Sequence, residues 1–218
     1  MRSFFFGLKD SQSVKNNSIR NLIFGLGGVI LDLSVESTME EFSKLSGFSK
    51  DKVRQIFVSS PEFNLYEKGE MGDQQFRDFI RDTYAPMSTD KQIENAWNAM
   101  LRGIPTIKLD LLNTLKKNYR VFLLSNTNGI HLDYINGNLL PSGVTDLDDY
   151  FHMAYYSHKM LKRKPDAEIY EQVLSEGDLK ASETLFLDDN LSNVDGAKSV
   201  GIQTVHVTHP DLILEYFK

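Results

Sequence analysis

Residues 21–33 have the sequence NLIFGLGGVILDL, an apolar run with three glycines inside it. Strands covered on both faces of a parallel sheet are continuously apolar, so this run is typical of a buried strand that enters a tight loop. Leu22, Ile23 and Phe24 are predicted to form the strand, and Gly25 begins the loop. The carboxyl end of this first strand is therefore the first candidate for a ligand site.

The remainder of the chain, from about residue 105, alternates helical and strand-like patterns. The predicted helices are 108–117, one from about 130, 166–176 and 192–200, and the predicted strands are 120–124, 153–157, 184–187 and 204–207. Alternation of this kind predicts an α/β fold with a doubly wound parallel sheet.

A stretch without predicted strands separates the first strand from this alternation. Residues 38–45, 52–57, 76–84 and 91–101 carry apolar residues at helical spacing. We therefore predict a small helical cap domain at 35–103, hinged near 32–36 and 103–107, on a core domain formed by 19–34 and 104–218. Residues 1–18 are predicted to be a mobile leader.

Composition excludes several classes of function. The chain has 218 residues, with 24 Lys plus Arg against 30 Asp plus Glu and a net charge of -6, so nucleic acid is not expected as a partner. No run approaches the roughly 20 apolar residues of a membrane span, and the apolar cluster at 4–8 is too short for a signal peptide. The absence of cysteine fits a reducing compartment. We expect a cytoplasmic protein.

Polar residues follow four predicted strand ends, and ligands bind at the carboxyl ends of parallel strands. Ser125 and Asn126 offer a hydroxyl and backbone amides to phosphate oxygens. Lys164 brings a positive charge from a loop just before a helix. Taken singly, a Ser/Asn turn or a basic loop is more often structural. Their predicted convergence with Gly25 and the acidic pair 188–189 points to a phosphate site.

Asp188 and Asp189 stand together at the end of an apolar strand. Two adjacent carboxylates repel each other and are costly to bury unless a cation joins them. Oxygen ligands of this kind favour Mg²⁺, which takes one or two carboxylates, waters and a substrate phosphate. The five histidines lack the spacing of metal ligands.

These four motifs, in this order, resemble those of the haloacid dehalogenase-like (HAD) hydrolases over residues 20–218, and those of small sugar-phosphate phosphatases with a helical cap in particular. The resemblance implies a phosphatase that acts on a small phosphorylated metabolite through an aspartyl-phosphate. It places the nucleophilic aspartate at Gly25, the phosphoryl-binding serine at Ser125 and the charge-neutralising lysine at Lys164. Asp189 would ligate Mg²⁺, Asp188 would ligate or orient it, and the Gly27 carbonyl would be a further ligand.

Glycine at position 25 supplies neither a nucleophile nor a metal-binding carboxylate. We therefore expect turnover to be severely impaired, by a factor on the order of 10⁶ judged from the loss of protease nucleophiles. Two origins fit: a substitution introduced into an active hydrolase, and a natural pseudophosphatase that acts as a phosphate-binding or regulatory module. The charged residues retained around Gly25 favour the first, because an abandoned site would lose buried charges.

Other site residues are less specific. Many relatives carry a second aspartate, as general acid and base, where this chain has Gly27. Glu67 and His158 are candidates to replace it, although each is more often a surface residue. Leu161 occupies a position where similar family members often have glycine. Four aromatic residues of the predicted cap could line a substrate cavity, although such residues are more often cap core: Phe57, Phe63, Tyr66 and Trp97.

A dinucleotide-binding turn is the main alternative for the first motif. Gly25-Leu-Gly-Gly28 resembles the glycine-rich fingerprint, but that fingerprint requires a third glycine at position 30, which is Ile30, and a helix directly afterwards. We do not expect a nicotinamide or flavin cofactor.

Overall fold

A sheet of five parallel strands forms the centre of the computed structural model, which describes residues 18–218. The strands are β1 Asn21–Phe24, β4 Arg120–Ser125, β5 Met153–Tyr156, β6 Thr184–Asp188 and β7 Gln203–His206. Their spatial order is β5-β4-β1-β6-β7. β1 lies in the middle, as its continuous burial suggests. The predicted leader, apart from Ser18, lies outside the described residues.

Helices cover both faces of this sheet, so the predicted doubly wound α/β fold is confirmed. Period-two alternation sends Ile23, Phe122 and Phe186 to one face, where they pack against Tyr170. Neighbouring residues such as Leu22 point to the other face. The core helices are α6 Thr106–Leu115, α7 Gly129–Asn138, α8 Ser157–Met160, α9 Ala167–Glu176, α10 Leu191–Ser199 and α11 Leu212–Tyr216, with 3₁₀ turns at Leu147–Tyr150 and Ala181–Glu183.

The helical insert, residues 35–98, follows the first strand as predicted. It contains α1 Val35–Ser46, α2 Lys50–Ser59, α3 Glu62–Glu67, α4 Asp73–Tyr84 and α5 Asp90–Asn98. The short α3 was not predicted. Phe63, Tyr66 and Trp97 are buried, and the Tyr66 ring stacks on Phe76 with centroids 4.0 Å apart. These aromatic side chains therefore form the interior of the insert.

A two-stranded antiparallel ribbon joins the insert to the sheet. Neither of its strands was predicted from the sequence. Its strands are β2 Asp32–Leu33 and β3 Leu101–Gly103. The predicted helix 91–101 was wrong at its end, because α5 stops at Asn98 and Leu101 pairs with Leu33. Local periodicity could not predict this pairing, because the two segments are nearly 70 residues apart in sequence. The buried Lys108 fixes the ribbon by donating to Asp32 Oδ1 at 2.9 Å.

The division into cap and core stays a prediction. The larger apolar cluster of the protein contains residues of both the insert and the sheet, including Phe42, Phe76, Leu22 and Leu123. Within residues 18–218, none of the helices combines the length and apolar character that crossing a membrane requires.

Candidate active site

The four predicted strand ends meet at one edge of the sheet. Residues Phe24, Leu123 and Leu187 are aligned across β1, β4 and β6, so the residues that follow them come together. They border a cleft of about 350 Å³ between the sheet and the insert. Its lining includes six of the predicted site residues: Gly27, Ser125, Asn126, Lys164, Asp188 and Asp189. A larger cleft, of about 490 Å³ between α1 and α5, contains none of them.

Gly25 is buried at the end of β1, and its amide donates to the Leu187 carbonyl at 2.8 Å. A Cβ atom at position 25 would lie 2.6 Å from Asp188 Oδ2, which is closer than such atoms approach in proteins. The space in which a side chain at this position would begin is therefore taken by the Asp188 carboxylate.

Lys164 holds that carboxylate in place. Its ammonium donates to Asp188 Oδ2 at 2.6 Å and to the Leu124 carbonyl at 2.8 Å, and both charged side chains are almost completely buried. A buried ion pair of this kind needs further hydrogen bonds to satisfy its remaining atoms. Asp188 Oδ1 meets that need by accepting from the Asn190 amide at 3.0 Å and from Asn193 Nδ2 at 2.8 Å.

Asn126 positions the lysine. Its Nδ2 donates to the Lys164 carbonyl and its Oδ1 accepts from the Lys164 amide, both at 2.9 Å. Because both ends of this amide are engaged, the geometry favours a positioning role for the Asn126 side chain. The predicted contact of Asn126 with substrate stays a prediction.

Ser125 ends β4 and is 3% exposed. Its hydroxyl makes one long hydrogen bond, of 3.4 Å, to the Asn126 carbonyl. A hydroxyl held this loosely at the edge of a cleft can turn to donate to an incoming oxygen atom.

Asp189 lies against the loop that follows β1. Its carboxylate packs directly against Gly28, which has a φ of 72° and no room for a Cβ atom. No ion pair within residues 18–218 includes Asp189. Although the residue as a whole is exposed, partial burial raises the pKa of its carboxyl group, and the charge of Asp188 raises it further. No role was predicted for Gly28, although the pair Gly27-Gly28 was the available signal in the sequence.

The donor set fits Mg²⁺ with Asp189 as the carboxylate that is free to bind it. Asp188 has both oxygens engaged by Lys164, Asn190 and Asn193, so it fits the orienting role better than direct ligation. No group of three His, Cys, Asp or Glu in the described part of the chain could hold a metal. Magnesium needs fewer protein ligands than that, since it retains waters and binds substrate phosphate.

Comparison with known proteins agrees with this geometry. Residues 19–201 match the family described as haloacid dehalogenase-like hydrolase. The chain belongs to the haloacid dehalogenase-like hydrolases. Among its HAD relatives is D-ribitol-5-phosphate phosphatase of Bacteroides thetaiotaomicron, 30% identical over 186 residues that cover 85% of this chain and 90% of that protein.

Solved HAD structures are similar over most of the described fold. A HAD family enzyme of Bacteroides thetaiotaomicron, in complex with magnesium and inorganic phosphate, has a TM-score of 0.80 and 38% identity. The match covers 86% of this chain and 93% of that one. A HAD-like hydrolase of Porphyromonas gingivalis has a TM-score of 0.79 and 32% identity, covering 87% and 91% of the two chains.

Of the two candidate proton donors, only Glu67 lies in the cleft. Its Oε2 accepts from Arg163 at 2.6 Å. This ion pair joins the insert to the loop that carries Lys164. His158 is not among the cleft residues. Burial lowers the pKa of His158, and the charge of Lys159 lowers it further. Neither is placed as a proton donor by this geometry.

His131 is a cleft residue that the sequence analysis did not single out. Its ring stacks on Trp97 with centroids 4.7 Å apart, and burial lowers its pKa to about 4. The Trp97 carbonyl can only accept, so His131 Nε2 donates to it at 3.2 Å and Nδ1 accepts from Asn128 Nδ2. His131 is thus a neutral link between the insert and α7.

Proposed function

We propose that this chain has the site of a Mg²⁺-dependent HAD phosphatase for a small phosphorylated metabolite, with turnover severely reduced by Gly25. The observation that carries the proposal is the convergence of Ser125, Lys164 and the acidic pair 188–189 around Gly25 in one cleft. A cytoplasmic location belongs to the same proposal.

The relatives support the phosphate and magnesium parts of the proposal. One is named for hydrolysis of a polyol phosphate, and another was crystallised with magnesium and inorganic phosphate. A variant of the latter enzyme with one aspartate changed to alanine also holds magnesium and inorganic phosphate, with a TM-score of 0.78 and 39% identity to this chain. That enzyme therefore still binds both when one of its aspartates is replaced.

Each residue would contribute a separate interaction with the phosphate. The Ser125 hydroxyl would donate to a phosphate oxygen, and the Lys164 ammonium would balance negative charge while Asp188 keeps it aimed at the cleft. Asp189 and the Gly27 carbonyl would hold Mg²⁺, which when bound offsets phosphate charge. Position 25 offers no atom that could attack phosphorus, so no aspartyl-phosphate can form there.

A natural binding or regulatory module is the second candidate function. It is favoured by the contact between position 25 and Asp188, since the ion pair of Asp188 and Lys164 already fills the space of a nucleophile's side chain. Such a protein would bind a phosphorylated metabolite and would not turn it over.

The variant Gly25→Asp separates the two candidates. For an enzyme, the new carboxylate should displace Asp188 slightly and raise hydrolysis of an aryl phosphate with Mg²⁺ by several orders of magnitude. Gly25→Asn is the matched control, because it adds the same bulk beside Asp188 without a nucleophilic carboxylate. Both rates would be measured alongside calorimetric binding of inorganic phosphate.

Three outcomes are informative. Activity in Gly25→Asp alone supports the enzyme. Phosphate binding with no activity in a folded Gly25→Asp variant supports the binding module. Failure of the unmodified chain to bind inorganic phosphate in the presence of Mg²⁺ contradicts both.

A further inference from the structure

The cleft has two chemically different ends. Its inner end carries the serine, lysine and aspartates described above. The outer end, formed by the first loop, the ribbon, the insert and α7, is apolar; its lining includes Leu31, Leu33, Val35, Phe57, Met100 and Ile135. Leu33 and Val35 are 40% and 48% exposed, so apolar surface at the cleft remains open to solvent. Surface of this kind stabilises an apolar ligand by removing it from water.

Several polar side chains beside this apolar lining are already engaged within the protein, whereas the buried Arg163 Nε has no hydrogen-bond partner in the described residues. Both ring nitrogens of His131 and both ends of the Asn126 amide are already paired within the protein. Glu67 is paired with Arg163. A polyol bound here would exchange hydrogen bonds to water for contacts with leucine and valine, which is unfavourable for each unpaired hydroxyl.

We infer that the organic part of the phosphorylated ligand is a short apolar chain, so that the preferred ligand class is the phosphate monoester of an apolar alcohol. The cleft volume, about 350 Å³, lies near the lower end of small-molecule sites and suits one short chain beside a phosphate. The inference rests on the proposed function for the phosphate end. It separates this chain from the relative that is named for a polyol phosphate.

A pair of five-carbon esters tests the inference directly. n-Pentyl phosphate and D-ribitol 5-phosphate have equal carbon chains and differ in their hydroxyl groups. Their binding to the unmodified chain would be measured by calorimetry with Mg²⁺, with inorganic phosphate as reference. One buried methylene is worth roughly a fourfold gain in affinity, so n-pentyl phosphate should bind at least about tenfold more tightly than either other ligand.

A matched pair of variants locates the effect. Val35→Thr places a hydroxyl in the apolar end and should reduce the ratio of n-pentyl phosphate to inorganic phosphate affinity by several-fold. Val58→Thr makes the same change on α2, at a residue that is 81% exposed and does not line the cleft. It should leave that ratio unchanged.

The outcomes distinguish this inference from the function on which it rests. Binding of inorganic phosphate with equal or tighter binding of D-ribitol 5-phosphate would overturn the apolar ligand class and leave the phosphate site standing. A pentyl preference that is equal in Val35→Thr and the unmodified chain would also overturn it. Failure of all three ligands to bind would overturn both.

Discussion

At the scale of single residues, the charged neighbours of Gly25 satisfy one another. Lys164 and Asp188 form a buried ion pair, and Asn190 and Asn193 satisfy the other carboxylate oxygen. A buried charge left without partners would be costly. The buried charges of the site are therefore satisfied without an aspartate at position 25.

Replacing Gly28 tests the contact of this residue with Asp189, and comparison with Gly47 separates that contact from backbone strain. Gly28→Ala forces an L-residue into a positive φ, which costs roughly 1–2 kcal/mol, and also drives a Cβ atom into the Asp189 carboxylate. We expect a lower free energy of unfolding and weaker stabilisation by Mg²⁺. Melting temperatures with and without Mg²⁺ would measure both effects.

Gly47→Ala is the control for that variant. Gly47 ends α1 with a φ of 71°, nearly equal to the 72° of Gly28, but a Cβ atom there has no neighbour within 4 Å. It should lower the melting temperature while leaving the Mg²⁺ effect intact. Equal Mg²⁺ responses in the two variants would contradict the placement of Asp189 as a metal ligand.

At the scale of elements, the loop that carries Lys164 contains a strained residue. Leu161 ends α8 with φ 55° and ψ 30°, a left-handed conformation at the position where the family resemblance suggested glycine. The side chain is 63% exposed, so little apolar burial offsets the strain. Leu161→Gly should raise the free energy of unfolding by up to about 1 kcal/mol, once the entropy of glycine is subtracted.

In thermal unfolding, this gain should raise the melting temperature of a chain of this size by roughly 2–4 °C. Leu161→Ala removes the same exposed side chain but keeps a Cβ atom in the left-handed conformation, so it should give no such rise. Equal stabilisation by both variants would show that the exposed leucine, and not its backbone, is responsible.

Periodicity was sufficient to predict most elements, with boundaries of the core elements within two residues of those observed. It failed at the ribbon of β2 and β3, and it missed α3, α8 and α11. The three missed helices have six, four and five residues, which is too short for a helical pattern to develop. The ribbon depends on pairing between distant segments, so local sequence does not encode it.

At the scale of the whole molecule, the insert is seated on the core by paired polar groups. Ser157 Oγ donates to the Glu67 carbonyl at 2.6 Å, and Trp97 Nε1 donates to Asn128 Oδ1 at 3.3 Å. The neutral His131 completes this junction between α5 and α7. Its protonation state should therefore influence how firmly the insert is held.

The folded protein should lose stability through His131 as the pH falls. Burial lowers the His131 pKa from 6.5 to about 4, so the unfolded chain takes up the proton first. The contribution of neutral His131 to the free energy of unfolding is complete above about pH 6.5 and declines between pH 6.5 and 4. By pH 5, about 2 kcal/mol of this contribution is lost. Urea unfolding at pH 7.5 and pH 5 would measure it.

His131→Gln isolates this contribution from the carboxylates that titrate in the same range. Glutamine cannot take up a proton, so the variant should lose less stability between the two pH values than the unmodified chain, by about 2 kcal/mol. Parallel pH dependences in the two proteins would contradict a buried, neutral His131.

The sequence by itself determined the parallel sheet, the helical insert and the gathering of Ser125, Lys164, Asp188 and Asp189 near Gly25, because apolar runs mark buried strands and parallel strands share their carboxyl ends. Only the tertiary structure decided how those residues divide their roles. Lys164 pairs with Asp188, and Asn126 binds the backbone of Lys164. Asp189 packs against Gly28 without an ion-pair partner in the described residues, and apolar side chains line the outer end of the cleft. These outcomes depend on distances between side chains far apart in sequence, which no local pattern records.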